Sequence, residues 1–199
     1  MRKTKGEDLT KRLFKELFKV DCEDIPREKD KKTADYFLKA DNRIIAVCEV
    51  EDIEYDYPSE ERGWKLEPDG GWSKEAPVND EGRIGKKVQR AFSQLKDYSC
   101  PKILVIVDFD DFAHPLHSLE AATTGVGGSR IIIQETFGGV EINANSYHIA
   151  KGKIKDMVEK IDLYFWIDGQ KKKFIGSRCF SNNFCAKQLQ KFIWTRKIV

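Results

Sequence analysis

The chain has 199 residues, of which 40% are hydrophobic and 34% are charged, a composition that suits one soluble core. No apolar run approaches the roughly 18 residues that a transmembrane helix needs. The basic residues 1–6 lack the apolar stretch of a signal peptide. The five cysteines form no CxxC pair, which argues against a disulfide framework or a zinc knuckle. We therefore expect one cytoplasmic domain without a membrane segment.

The net charge of +2 is distributed unevenly along the chain. Residues 1–20 carry +4 and the basic C-terminal part, residues 151–199, carries +8, which leaves −10 for residues 21–150. Basic ends around an acidic middle are typical of a polyanion-binding surface that surrounds a metal centre. Ordinary solvent-exposed, lysine-rich surfaces would give the same distribution of charge.

The first predicted elements are a helix, a loop and two strands. Thr4 and Glu7 have the spacing of a capping box, and an apolar stripe with helical period follows them. The stripe consists of Leu9, Leu13, Leu17 and Val20. Residues 21–32 are polar and predict a loop. Residues 33–38 and 43–51 predict strands, with a turn at Asp41-Asn42 between them.

The middle of the chain predicts an insertion, a helix and a central strand. Residues 52–83 are acidic and rich in Gly, Pro and aromatics, which predicts an insertion with a short hairpin around Trp64 and Trp72. A helix follows, whose apolar stripe consists of Ile84, Val88, Ala91, Phe92, Leu95 and Tyr98. Residues 103–107 form a continuous apolar run, as expected for a strand buried on both faces.

The remaining predicted elements are shorter. They comprise strands at 131–133 and 140–142, a short helix at 154–161, a hairpin around Asp168-Gly169 and a C-terminal helix at 185–198. The element order predicts an α/β fold with a central mixed β-sheet flanked by helices. All of it fits a single domain, residues 1–199.

Two acidic side chains are predicted to meet on the first hairpin. If the turn has three residues, 41–43, Asp35 lies opposite Glu49 with Cβ atoms about 4.5–5.5 Å apart. Two carboxylates so close repel each other, and a divalent cation would reverse the sign of that effect. A two-residue turn would instead pair Asp35 with Cys48, so the prediction depends on the turn.

This acidic hairpin resembles the PD-(D/E)XK, or restriction-endonuclease-like, nuclease superfamily over roughly residues 4–109. Asp35 matches the motif aspartate, with Ala34 in place of the proline, and Glu49 matches the acidic position. Glu51 stands where the motif has its lysine, which is a departure from the family pattern. The order helix, hairpin, helix, strand also resembles the family core. The resemblance therefore implies a restriction-endonuclease-like core.

The resemblance implies a Mg²⁺ (or Mn²⁺) cofactor held by Asp35 and Glu49, with the Val50 carbonyl as a third ligand. Glu51 would then bind a second metal ion or orient the attacking water. Glu16 is a further candidate, because the first helix often adds an acid in this family.

Some family members carry the lysine on the helix that follows the hairpin. Lys87 and Gln94 share one flank of that helix's apolar stripe, whereas Lys86 points nearly opposite the stripe and is expected in solvent. We therefore list Lys87 and Gln94 with Asp35, Glu49 and Glu51 as candidate catalytic residues. A surface lysine whose stem covers apolar area would also explain Lys87.

The implied function is a divalent-metal-dependent nuclease that hydrolyses phosphodiester bonds of nucleic acid, with DNA as the preferred partner. The alternative is a catalytically inactive nuclease-like subunit that serves binding or interaction. The missing motif lysine and the acidic insertion favour this alternative. That insertion is also the surface through which a homodimer or a partner protein would bind.

Three other constellations are weaker candidates. A rival metal site follows the buried strand and comprises Asp108, Asp110, Asp111, His114 and His117. The glycine-rich residues 123–130 could cradle a phosphate, although a mobile loop explains them as well. Lysines 171–173 lie near aromatic residues 164–166, which would either stack bases or belong to the core.

Overall fold

The structure is a computed structural model, and it describes residues 3–26, 33–53, 65–66, 68, 72–73, 80–109, 126–127, 132–136, 139–143, 147–148, 157–179 and 184–196. The helices are α1 (Lys5–Phe18), α2 (Asp80–Leu95) and α3 (Phe184–Thr195). The strands are β1 (Asp21–Asp24), β2 (Tyr36–Ala40), β3 (Arg43–Ile53), β4 (Lys65–Leu66), β5 (Trp72–Ser73), β6 (Lys102–Asp108), β7 (Val126–Gly127), β8 (Ile132–Thr136), β9 (Gly139–Asn143), β10 (Tyr147–His148), β11 (Leu163–Asp168) and β12 (Lys173–Arg178). None of the described helices has the length and apolar character needed to cross a membrane.

Six strands form one mixed sheet in the order β1-β2-β3-β6-β11-β12. β6 runs parallel to both of its neighbours, β3 and β11, and the other neighbouring pairs are antiparallel. Three small antiparallel pairs, β4–β5, β7–β10 and β8–β9, stand apart from this sheet. The prediction of an α/β fold with a central mixed sheet and flanking helices is confirmed.

Both faces of the sheet are covered, and β6 lies at its centre. Residues 103–107 are fully buried, because odd-numbered side chains pack towards α1 and α3 while even-numbered ones pack towards α2. Phe14 of α1 and Ile193 of α3 anchor the first layer, and Val88 of α2 anchors the second. The continuous apolar run therefore reflects burial on both faces, as predicted.

Helix α1 begins where the sequence predicts and docks its first turn against the end of β3. The Thr4 hydroxyl accepts a hydrogen bond from the Glu7 backbone N–H at 3.2 Å, so Thr4 is the N-cap. The Gly6 N–H donates to Asp52 Oδ2 at 3.2 Å, and a Cβ on Gly6 would lie 1.8 Å from Asp52 Oδ1. A side chain at position 6 would therefore force the Asp52 carboxylate to move.

The β2–β3 hairpin turns with two residues, so the three-residue turn is wrong. Asp41 and Asn42 have φ values of 50° and 63°, and Ala40 pairs with Arg43. Two successive positive φ values are typical of the type I′ turn, whose twist matches that of the flanking strands.

A β-bulge in β3 corrects the register that the shorter turn would impose. Lys39 pairs with Ile44 whereas Leu38 pairs with Ala46, so Ile45 is the extra residue. Beyond the bulge Tyr36 pairs with Cys48, which places the residue before Tyr36 beside Glu49. The predicted proximity of the two acids thus arises from the bulge and not from the turn.

Residues 21–24 form an edge strand where the sequence predicted a loop. β1 pairs antiparallel with β2, and only Cys22 of its four side chains is buried. An edge strand can keep charged side chains in solvent, so its sequence lacks a strand pattern.

The insertion is shorter than predicted, because β3 extends to Ile53 and α2 starts at Asp80. The predicted hairpin within it is present as the β4–β5 pair. Strands β8 and β9 agree with the prediction, as do the helical residues 157–159, the β11–β12 hairpin and α3.

Candidate active site

The acidic side chains of β3 alternate between the two faces of the sheet. Glu49 and Glu51 point to the face covered by α2, while Asp52 points to the α1 face and accepts from Gly6. The exposed fractions of Glu49 and Glu51 are only 2% and 3%. Carboxylates buried this deeply are costly unless other groups compensate their charge.

Asp35 is held where β2 begins and is 9% exposed. Its backbone N–H donates to the Cys48 carbonyl at 3.1 Å, and its Oδ2 accepts from the Val50 N–H at 3.0 Å. The Asp35 side chain thus accepts a hydrogen bond from the backbone of β3 just before β2 begins. Because the N–H and C=O of one strand residue point to the same side, the Val50 carbonyl also faces this edge of β3.

Glu49 has one oxygen that is hydrogen-bonded and one that is not. Gln94 Nε2 donates to Glu49 Oε1 at 2.6 Å and to the Thr33 carbonyl at 3.1 Å. Glu49 Oε2 is buried and accepts no hydrogen bond from the described residues. Burial, reinforced by the negative charges of Asp35 and Glu51, raises the pKa of Glu49 to about 10.

Glu51 is compensated by two cations from α2. Lys87 Nζ donates to Glu51 Oε2 at 3.0 Å, and Arg90 Nε forms an ion pair with Oε1 at 3.2 Å. Burial raises the pKa of Glu51, while Lys87 and Arg90 oppose that rise. Among the described residues, Glu51 therefore has cationic partners and Glu49 has none.

The helix and the strand match in spacing across the site. Lys87, Arg90 and Gln94 lie three and four residues apart, on one side of α2. Four residues of helix rise about 6 Å, and the two-residue step from Glu49 to Glu51 spans about 6.6 Å. This match lets Gln94 reach Glu49 while the two cations reach Glu51.

The residues fit a Mg²⁺ ion that keeps much of its water shell. Within the described part of the chain, no three His, Cys, Asp or Glu side chains are grouped to hold an ion. Asp35, Glu49 and the Val50 carbonyl would supply three oxygens, and Mg²⁺ in proteins commonly uses one or two carboxylates plus water. The unsatisfied Glu49 Oε2, beside a second carboxylate, is the ligand atom that such an ion needs.

The structure brings together all six residues that the sequence singled out, namely Asp35, Glu49, Val50, Glu51, Lys87 and Gln94. Lys86 is exposed, as predicted. Glu16 does not join them, because it is exposed on α1, which packs on the sheet face opposite the one that Glu49 and Glu51 occupy.

Arg90 also belongs to this group, although the sequence did not single it out. Its signal was available, since it lies three residues after Lys87 and four before Gln94 on the flank already identified. Its contact with Glu51 could not be read from α2 alone.

The other candidates are only partly described. Asp108 ends β6 and is 5% exposed, but the remaining members of the rival metal site lie outside the described residues. The same holds for the glycine-rich segment apart from β7, and for most of the acidic insertion. The homodimer or partner contact assigned to that insertion therefore stays a prediction.

The aromatic residues near lysines 171–173 belong to the core. Tyr164, Phe165 and Trp166 are each no more than 1% exposed, so they are not available to stack bases. The three lysines are exposed in the β11–β12 turn and at the start of β12.

The chain matches no protein-family model, no curated protein and no solved structure. The family resemblance therefore rests on the acidic hairpin, the adjoining helix and the order of the elements.

Proposed function

We propose that this protein is a divalent-metal-dependent nuclease that hydrolyses phosphodiester bonds, with DNA as its preferred substrate. The observation that carries the proposal is the buried contact of Asp35 with Glu49, which places two carboxyl groups side by side although each is less than one-tenth exposed. A buried carboxyl group whose pKa is raised by burial and by a neighbouring carboxylate weakens a fold, and such perturbed groups concentrate at functional sites. A Mg²⁺ or Mn²⁺ ion would turn this repulsion into attraction.

The chain's own residues position the ligands and the substrate. Asp35, Glu49 and the Val50 carbonyl hold the ion, while the Val50 N–H and Gln94 fix the two carboxylates. When bound, the ion polarises the phosphate and lowers the pKa of a coordinated water. Lys87 is 32% exposed and supplies, from α2, the positive charge that the family motif carries on the strand.

A second candidate function is an inactive nuclease-like subunit that binds a partner. The observation that favours it is Glu51, which occupies the motif lysine position and already engages both cations of α2. An inactive subunit need not bind a metal ion at Asp35 and Glu49 and would cleave no nucleic acid, so metal affinity and cleavage together separate the two candidates.

The test is calorimetric titration of Mn²⁺ into the wild type, Asp35→Asn and Glu49→Gln. Asp97→Asn, an exposed acid just after α2, is the matched control. We expect binding in the wild type and the control, and at least a tenfold loss in both site variants, because each removes an ionic oxygen ligand.

Cleavage of labelled DNA and RNA is then measured with the same samples. Cleavage that requires Mg²⁺ or Mn²⁺ and is lost in parallel with binding supports the nuclease. Metal binding without cleavage of either polymer would favour the inactive subunit. Unchanged Mn²⁺ affinity in both site variants would disprove the metal site.

A further inference from the structure

Lys87, Arg90 and Glu51 form a group that a metal site alone does not explain. The carboxylate is 3% exposed, whereas the side chains of Lys87 and Arg90 are 32% and 65% exposed. A buried anion thus anchors two cations that extend from it towards solvent. We call Lys87 and Arg90 the anchored cation pair.

Lys87, Arg90 and Glu51 together carry the same net charge as the motif lysine whose position Glu51 occupies. Two cations and one carboxylate sum to +1, which is the charge a single strand lysine would carry at this position. The group lies beside the acidic pair, since the charge of Glu51 acts on Glu49. An anionic group bound near Asp35 and Glu49 would therefore meet net positive charge on this side.

The contact geometry leaves Arg90 suited to an oxyanion. Arg90 approaches Glu51 through Nε, and that ion pair lacks hydrogen-bond geometry at Oε1. The Arg90 side chain is 65% exposed, and the planar guanidinium fork binds phosphate oxygens in pairs. Lys87 adds a compact charge held by a hydrogen bond of 3.0 Å.

We infer that the anchored cation pair is a phosphate-binding subsite, and that Glu51 is a positioning residue and not the ligand of a second metal ion. Both Glu51 oxygens face cations, so a metal ion there would have to displace Lys87 and Arg90. The identity of the phosphate as a nucleic-acid phosphodiester rests on the proposed function. The subsite itself requires no metal ion and no cleavage.

The experiment measures the fluorescence anisotropy of a short fluorescein-labelled DNA duplex in the presence of EDTA. All proteins carry Glu49→Gln, so that DNA binding is measured without metal binding or cleavage. Adding Arg90→Gln or Lys87→Gln is expected to weaken binding about three- to tenfold and to reduce the salt dependence by about one ion. Lys86→Gln is the matched control, because it removes an exposed lysine from the same helix. It is expected to change affinity less than twofold, and thermal melts verify that each variant is folded.

Glu51→Gln, made in the otherwise wild-type chain, tests the positioning role. It keeps both cations and removes their anchor, so DNA affinity and Mn²⁺ affinity should stay the same or rise, while kcat falls about tenfold. If Glu51 only supported the fold, Glu51→Gln would lower the DNA affinity, the Mn²⁺ affinity and kcat together. Loss of Mn²⁺ binding in Glu51→Gln would make Glu51 a metal ligand and overturn the assignment.

The outcomes also separate this inference from the proposed nuclease. If Arg90→Gln and Lys86→Gln bind DNA equally, the subsite is disproved even where metal-dependent cleavage is present. If Arg90→Gln selectively weakens binding but the wild type neither binds Mn²⁺ nor cleaves, the subsite stands and the nuclease does not.

Discussion

At the scale of single residues, Glu49 is the costliest group in the described part of the site. It is 2% exposed, Gln94 satisfies one of its oxygens, and Asp35 places a second carboxylate beside it. Its raised pKa means that the folded protein without metal keeps a proton on Glu49 across neutral pH. Glu49 therefore lowers the stability of the fold as long as no cation is bound beside it.

Replacing Glu49 with Gln should stabilise the metal-free protein. The pKa rises from an ordinary value of about 4.3 in the unfolded chain to about 10 in the fold. Between those values the unfolded chain binds fewer protons than the folded one, so wild-type stability falls as pH rises. Glutamine has no such proton, and we expect Glu49→Gln to be about 1–3 kcal/mol more stable than wild type near pH 8.

Urea unfolding in EDTA at about pH 5 and pH 8 measures this difference. The gap between variant and wild type should widen with pH, whereas Asp97→Asn should show no such widening. Parallel pH profiles for Glu49→Gln and wild type would contradict the buried, protonated state of Glu49.

Lys87→Gln should damage catalysis far more than metal binding. It removes the hydrogen bond to Glu51 Oε2 and one positive charge of the proposed phosphate subsite. We expect kcat to fall about 100-fold with Mn²⁺ affinity within about threefold of wild type, a typical cost for losing one electrostatic contact to the transition state. Steady-state cleavage and calorimetry measure the two quantities, with Lys86→Gln as the control. An equal fall of kcat in Lys87→Gln and Lys86→Gln would count against a specific role for Lys87.

At the scale of elements, the site depends on how α1 and α2 pack against β3. α2 brings Lys87, Arg90 and Gln94 over one face, and α1 fixes the other face through the contact of Gly6 with Asp52. The end of β3 is thus held from both sides, and its position determines where the carboxylates lie.

Gly6→Ala should loosen this packing. A Cβ would lie 1.8 Å from Asp52 Oδ1, so Asp52 must move and its hydrogen bond from the Gly6 N–H is lost. We expect a loss of about 1–3 kcal/mol in the free energy of unfolding, as for other overpacking substitutions. Thermal and urea unfolding measure it. Gly176→Ala is the matched control, since no atom lies within 4 Å of its added Cβ and it should be neutral or stabilising. Equal effects of the two substitutions would contradict the close approach at Gly6.

At the scale of the whole molecule, the C-terminal helix α3 lies away from the acidic site. α3 packs on the sheet face opposite α2, and its exposed Lys187 and Lys191 face solvent there. Within the described residues, Lys87 and Arg90 are the cations in contact with the site acids. The chain-wide charge pattern therefore does not by itself say which face binds a polyanion.

Metal binding should be visible as stabilisation of the whole fold. A ligand present at a hundred times its Kd adds about 2.7 kcal/mol, provided that it binds only the folded state. We therefore expect saturating Mn²⁺ to raise the Tm of the wild type by several degrees and to leave the Tm of Glu49→Gln unchanged. Removal of Mn²⁺ by EDTA should return the Tm of the wild type to its metal-free value. A similar rise in both proteins would mean that Mn²⁺ binds elsewhere.

The sequence by itself determined the elements whose side chains follow a clear period, including α1, α2, β6 and the β11–β12 hairpin. The same periodicity predicted that Lys87 and Gln94 share one flank of α2. The hairpin, taken with a three-residue turn, also singled out Asp35 and Glu49, because two acids facing each other on adjacent strands are unfavourable without a cation.

Only the tertiary structure decided the rest. The edge strand β1, the bulge at Ile45 and the ion pair of Arg90 with Glu51 all depend on pairing with a distant part of the chain. A local pattern specifies which face a side chain occupies, but not which partner it meets across the sheet. The acids were predicted to be neighbours through a three-residue turn, whereas two turn residues and one bulged residue bring them together. One extra residue in β3 thus sets the register, because each single-residue shift moves every following side chain to the opposite face.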